Sequence, residues 1–285
     1  MKRVILTKDG LLSTPAASAI IREITPTYRK PFGCFILTAS HNPAGVDGDV
    51  GIKFNGEDGG PSQSDLTSAI YNESKKLSSF FTCDQLPTFD LSEERIEVIE
   101  SQDGLNRLHI EVISPFQHYF SLLSAIFDFS QISMLLDHPA FSFVFDGMNG
   151  VTGVYAHELF GEVLGVDFSS SSSSSSRLIN CTPLPDFGGI HADPNLVYAK
   201  ELCELMNIVT SQQQQDEEEE EEKEKGQVEF SMGCASDGDG DRNMILGNEF
   251  FVNPSDSLAL ILFLASSCIP YFRDFGLGGI KGFDF

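Results

Sequence analysis

The chain has 285 residues, 41% of them hydrophobic, with 24 phenylalanines and a formal charge of −24 at pH 7. That apolar content suffices for two ordinary domains and part of a third, and it excludes a chain disordered throughout. So acidic a surface excludes nucleic acid and anionic membrane surfaces as partners, and any phosphate site must draw on locally gathered Arg and Lys.

In chain order, residues 4–7 read as a strand and Asp9-Gly10 as a turn. Thr14 is expected to cap a helix with Pro15 at its first position, running to about residue 24. The apolar run 34–37 suits a strand, since Phe and Ile favour the pleated state. Asn42-Pro43, followed by Gly45, Gly48 and Gly51, then forces a loop. Ser40, within Thr38-Ala39-Ser40-His41-Asn42-Pro43, therefore stands where a strand stops and a loop begins. A hydroxyl there is held rigidly and can meet a ligand; the alternative is a turn serine that satisfies its own backbone. Beyond Gly51-Ile52-Lys53-Phe54-Asn55, Ser64 is expected to cap a helix that carries Leu66, Ile70 and Leu77 on one face, closed by Pro87. Residues 108–113 alternate as a strand does, and Pro115 starts a helix through residue 127.

Residues 141–145 form a buried-looking strand that ends in Asp146-Gly147-Met148-Asn149-Gly150, with a helix expected from 151 to about 164. A strand, a glycine turn and a helix start could hold an anion. Gly147, Gly150 and Gly153 do not match a dinucleotide fingerprint, however, and tight strand–helix packing explains them as well. Residues 169–176 are an unbroken serine run, and 212–225 are a glutamine and glutamate tract. Neither tract buries enough apolar surface to offset ordering, so both are expected to be mobile surface loops. Residues 231–235 and 243–246 read as strands, and Ser255 is expected to cap a helix through about 267. Alternating strands and helices define an α/β chain. The longest apolar run, 258–265, is far short of the roughly 20 residues of a membrane span. The first ten residues lack the apolar core of a signal peptide, and the six cysteines show no paired spacing. A reduced, cytoplasmic protein is expected.

The other stretch that carries chemistry is Ser236-Asp237-Gly238-Asp239-Gly240-Asp241-Arg242. Three carboxylates at alternate positions repel one another unless a hard divalent cation collects them, and magnesium takes such oxygen ligands. An EF-hand also opens with Asp-x-Asp-x-Asp, but its sixth position should be Gly and is Arg242, and its twelfth should be Glu and is Asn248. A solvated Asp-Gly loop is the plainer alternative. Arg242 favours the cation site, because a guanidinium beside a metal suits a phosphate held between them.

Taken together, these stretches resemble the phosphoglucomutase branch of the α-D-phosphohexomutases. Thr-Ala-Ser-His-Asn-Pro is similar to that family's phosphoserine loop and Asp-Gly-Asp-Gly-Asp-Arg to its magnesium loop. Leu11-Leu12-Ser13-Thr14-Pro15-Ala16, Pro185-Asp186-Phe187-Gly188-Gly189 and Phe251-Val252-Asn253-Pro254-Ser255-Asp256 agree in family order. Among relatives the likeness is to the eukaryotic phosphoglucomutase and parafusin group. The resemblance implies an α/β, multidomain fold in which each domain is a mixed sheet flanked by helices. It places a first domain at 1–110, a second at 111–249 and the start of a third at 250–285. It also implies an incomplete chain, because the family's opening segment and its later sugar-recognition and phosphate-binding parts have no counterpart here.

The implied activity is interconversion of glucose 1-phosphate and glucose 6-phosphate. Ser40 would carry the phosphate, Mg2+ would bind to Asp237, Asp239, Asp241 and Ser40, and glucose 1,6-bisphosphate would be activator and intermediate. Asp241 and Arg242 would contact substrate. His41 would brace the loop or transfer protons, and Lys53 would either face the phosphoryl group or be a solvated strand lysine. Sugar phosphates are the implied partners, with no nucleic acid and no membrane span. Two other readings stand beside this one: a non-catalytic phosphoprotein of parafusin type, and a phosphatase with an aspartate nucleophile.

Overall fold

The computed structural model describes residues 2–23, 31–82, 88–100, 104, 106–169, 176–208 and 229–276. Apart from Ser169 and Ser176, the serine run lies outside these residues, as do the Gln/Glu tract and Pro87. The chain divides into two compact units, Met1–Leu37 with Ile52–Tyr119 and Thr38–Gly51 with Phe120–Phe285.

The first unit is built on a three-stranded sheet in the order β1-β5-β4, formed by Lys2–Thr7 (β1), Arg107–Ile113 (β5) and Arg95–Glu100 (β4). β1 runs parallel to β5, with Val4 opposite Ile110, and β4 runs antiparallel to it. Ile110 and Val112 are buried, and Glu111 between them is paired with Arg3. Three β-branched residues, Ile96, Val98 and Ile99, favour the extended state in β4, a strand that the sequence pattern alone does not announce. Helix α1, Thr14–Arg22, buries Ala16, Ala17, Ala19 and Ile21. Its cap is Ser13 and not Thr14: the Ser13 hydroxyl accepts from the Ala16 N–H at 3.3 Å, leaving Thr14 as the first helical residue. Cys34–Thr38 (β2) and Gly51–Asn55 (β3) pair in a separate two-stranded sheet. Helix α2, Ser64–Ser74, has Gln63 at its cap position with no side-chain cap bond, and it buries none of its residues.

A five-stranded mixed sheet in the order β10-β9-β8-β6-β7 organises the second unit. Its strands are Phe143–Asp146 (β6), Arg177–Ile179 (β7), Met232–Ser236 (β8), Asn243–Gly247 (β9) and Phe250–Val252 (β10). β6 is parallel to both neighbours, while β8, β9 and β10 follow one another antiparallel. Val144, Leu202, Met206, Phe230 and Leu246 fill the core against this sheet. Helices α3, Gln117–Ile126, and α4, Phe129–Leu136, meet at a bend of 91°. After β6, helix α5, Thr152–Ala156, widens into a π-helical stretch, His157–Val163, so the single helix expected here changes pitch midway. That stretch carries Phe160, whose ring lies 4.8 Å from that of Phe143.

Lys200–Leu205 (α6) packs Leu202 and Cys203 inward. Helix α7, Pro254–Cys268, is capped by Asn253, which accepts from the Ser255 N–H at 2.9 Å; the cap is therefore two residues earlier than expected, with Pro254 in the first turn where a missing N–H costs nothing. Pro270–Phe275 (α8) follows. Among the described residues no single helix is long and apolar enough to cross a membrane.

Candidate active site

Two loops of the second unit meet. β2 delivers the first, and Ser40 enters the left-handed region with φ 58°, held there by its own N–H donating to Thr38 Oγ1 at 2.8 Å. β8 and β9 deliver the second as adjacent antiparallel strands, with Ser236 opposite Asn243 and the aspartates in the connection between them. The Ser40 hydroxyl donates to Asp239 Oδ1 at 3.1 Å and lies 3.5 Å from Asp237 Oδ2.

Gly238 is what allows this approach. A Cβ there would fall 2.4 Å from the Ser40 carbonyl oxygen and 2.3 Å from Cζ of Phe187, whose ring presses on the same point. From another direction, a Cβ on Gly150 would fall 2.7 Å from the Gly238 Cα. The glycines after β6 are therefore packing glycines: a Cβ on Gly153 would meet the Cys181 carbonyl oxygen at 2.1 Å.

Asp237, Asp239 and Asp241 each offer an oxygen, and these oxygens lie within 4.8 Å of one another. Oxygens bound to one magnesium ion stand about 3.0 Å apart when adjacent and about 4.2 Å when opposite, so the carboxylates would draw inward from their present spacing for all three to reach one ion. Asp237 and Asp239 are buried and Asp241 is exposed. Burial pushes the Asp237 carboxyl up to about 7, against the opposing bond from the Arg242 N–H at 3.0 Å and with further push from the charges of Asp239 and Asp241. Buried acids so close together are costly without a counter-charge, and an all-oxygen set of this kind fits a hard divalent cation.

Arg242 stands at the rim, its side chain about half exposed, with Nη1 3.7 Å from Asp193 Oδ1. His41 is half-buried, and its Nδ1 is buried with no hydrogen-bond partner among the described residues. Lys53 lies on β3 and is half-buried. Sequence reasoning missed Asp193 and Phe187 as neighbours of this loop. The turn-forming Asp193-Pro194-Asn195 was the available signal for the first; Phe187 sits in a segment noted only for its resemblance.

Residues 3–80 match the family model described as phosphoglucomutase/phosphomannomutase, alpha/beta/alpha domain I. Beyond that first-domain match, the chain is similar to phosphohexomutases along nearly all of its length. The curated proteins it resembles are named phosphoglucomutases. It is 44% identical over 283 residues to a cytoplasmic phosphoglucomutase of Mesembryanthemum crystallinum, a match over 99% of this chain and 44% of the relative. Over the same length it is 43% identical to that of Solanum tuberosum. The structure of the exocytosis-sensitive phosphoprotein pp63/parafusin, a phosphoglucomutase from Paramecium, superposes with a TM-score of 0.79 at 40% identity, covering 92% of this chain and 43% of that one. A putative phosphomannomutase from Thermus thermophilus shares the fold, with a TM-score of 0.56 at 23% identity, over 92% of this chain and 46% of that one. The chain spans less than half the length of the curated relatives it matches.

Proposed function

We propose that the chain takes part in phosphoglucomutase-type phosphoryl transfer, interconverting glucose 1-phosphate and glucose 6-phosphate through glucose 1,6-bisphosphate. The observation that carries this is the Ser40 hydroxyl set 3.1 Å from Asp239 inside a three-carboxylate cluster. Ser40 is the group that accepts phosphate and returns it: its O–H bond breaks and its O–P bond forms as the P–O bond to the sugar oxygen breaks, and the proton lost by Ser40 ends on that sugar oxygen, with the reverse exchange returning the phosphate. Asp237, Asp239 and Asp241 would hold Mg2+ together with an oxygen on Ser40. When bound, the ion supplies positive charge against phosphate oxygens, which is most of what phosphoryl transfer asks of a protein.

Arg242 is the proposed phosphate clamp, with Asp241 beside it as a substrate contact; the long, half-exposed contact of Arg242 with Asp193 is one that a phosphate can displace. His41 is assigned to bracing the serine loop, with its bare Nδ1 left for a partner. Lys53 is proposed as a phosphate contact from β3. The same reading divides the chain at 1–110, 111–249 and 250–285; the separate three- and five-stranded sheets support its first boundary, while β10 pairs with β9 across the second. It takes sugar phosphates as partners and the cytoplasm as location, as the names of the plant relatives suggest.

A second reading, a phosphoprotein without turnover, is favoured by the Paramecium neighbour, whose title calls it a phosphoprotein. Incubation with labelled glucose 1,6-bisphosphate distinguishes the two. Label on Ser40 with conversion of glucose 1-phosphate, both lost in Ser40→Ala, supports mutase chemistry. Label without conversion supports the phosphoprotein, and label on an aspartate supports the phosphatase. A chain that takes up no phosphate sinks all three.

A further inference from the structure

The aspartate loop is propped from behind by a turn that phosphoryl transfer itself does not use. β6 ends in Asp146, which is 2% exposed and lies outside the cluster of converging carboxylates. Its Oδ1 accepts from the Met148 N–H at 2.8 Å and from Asn180 Nδ2 at 3.2 Å. A buried carboxylate oxygen that takes one donor from the turn and another from the residue after β7 ties the turn to the neighbouring strand end. Fixing is needed, because Met148 and Asn149 both adopt left-handed backbone, at φ 47° and 53°, which side-chain-bearing residues avoid. Asn180 closes the arrangement from the other side: its carbonyl accepts from the Asn149 N–H at 2.8 Å.

The far end of the turn touches the cation loop itself. The Val151 N–H donates to the Gly238 carbonyl at 2.9 Å, and the Gly150 backbone lies against the Gly238 Cα. Gly238 sits between Asp237 and Asp239, so its peptide planes set where both carboxylates point. A chain of hydrogen bonds and backbone contact thus runs from Asp146 through the turn to the two buried ligand positions.

We propose that Asp146 is a positioning residue for the cation site: by accepting from Met148 and Asn180 it holds the 147–151 turn against Gly238 and keeps Asp237 and Asp239 convergent. The proposal rests on the reading that these aspartates bind a divalent cation. Its test uses the 285-residue chain, with Mn2+ as the probe, titrated by electron paramagnetic resonance, and with hydrogen exchange at the Val151 amide measured without metal. Asp146→Ala is expected to weaken Mn2+ about tenfold, the lower end of what losing a ligand's support costs. Asp146→Asn keeps an oxygen that accepts from both donors and should stay within about twofold of wild type. If Asp146→Ala does not fold, Asn180→Gly takes its place, since glycine tolerates the φ of 49° at that position while losing the side-chain clamp. In either clamp-breaking variant the Val151 amide should exchange faster, and in Asp146→Asn it should not.

A merely structural role predicts a lower melting temperature with Mn2+ affinity and Val151 protection unchanged in the folded protein, and that result overturns the proposal. A wild-type chain that binds no Mn2+ sinks the cation reading instead. The exchange arm then decides alone, with unchanged Val151 protection refuting the positioning role.

Discussion

A single methyl group at Gly238 tests the packing of the site directly. In Gly238→Ala the new carbon would arrive 2.3 Å from Phe187 Cζ and 2.4 Å from the Ser40 carbonyl oxygen, both well inside contact distance. Phe187 can turn its ring, but the oxygen is backbone, and Ser40 is pinned through its bond to Thr38. Retreat of residue 238 is also blocked, because Gly150 lies against its Cα. Overpacking of this kind costs about 1–3 kcal/mol, and a backbone obstacle on one side with a second backbone behind places this case near the upper end. For a unit of this size each kcal/mol moves the midpoint by about 2–4 °C, so a fall of about 6–12 °C is expected in a thermal melt followed by circular dichroism. Mn2+ affinity should fall with it, since the loop must shift to admit the methyl. A melting temperature within about 2 °C of wild type, with cation binding intact, would refute the close approach of the serine and aspartate loops.

Two further outcomes follow from burial. Burial pushes the Asp146 carboxyl above its ordinary value, with the Glu201 charge adding to this and the bonds from Met148 and Asn180 opposing it. A raised folded-state value means stability that is fully present below the unfolded value of about 4 and is lost as pH rises through the folded one, so the melting temperature of Asp146→Asn relative to wild type should rise as the pH is taken upward from about 4; a flat difference would show that burial does not hold the proton. Phe230 is 1% exposed in the core of the second unit, and Phe230→Ala should cost about 3–5 kcal/mol in chemical denaturation, a loss under about 1 kcal/mol meaning that the sheet does not rest on it.

Much of the site was legible because its chemistry is local. Three aspartates spaced by glycines and a serine at the end of an apolar strand are readable without knowing where they sit, since charge repulsion and loop chemistry speak at short range. β5, through its alternation, and α1 and α7, through a cap-type residue and a proline at their starts, were also legible. The caps were misread by one or two residues because Ser13 and Thr14, or Asn253 and Ser255, are equally good acceptors on paper, and only the direction of the first N–H groups separates them. β4 was missed because Ile99 follows Val98 directly and Glu97 and Glu100 fall on opposite faces, which breaks its alternation. Gly150, Phe187 and Asn180 could not be assigned to the site at all, since their roles come from contacts made across dozens of residues.

Ser40 donates to an acceptor 199 residues further along the chain, and its loop, Thr38–Gly51, is an excursion of the first unit's sequence into the second. At ribosomal speeds of about 5–20 residues per second, the serine loop waits on the order of 10–40 seconds before its partner is synthesised. The neighbouring strands β2 and β3 can pair early, but the loop between them has nothing to close on until β8 and β9 exist. Any C-terminal fragment starting at residue 120 would therefore carry the carboxylates without the nucleophile. A protease cut within 38–51 would leave Ser40 tethered from one strand only, its hydroxyl no longer held from both ends of the loop.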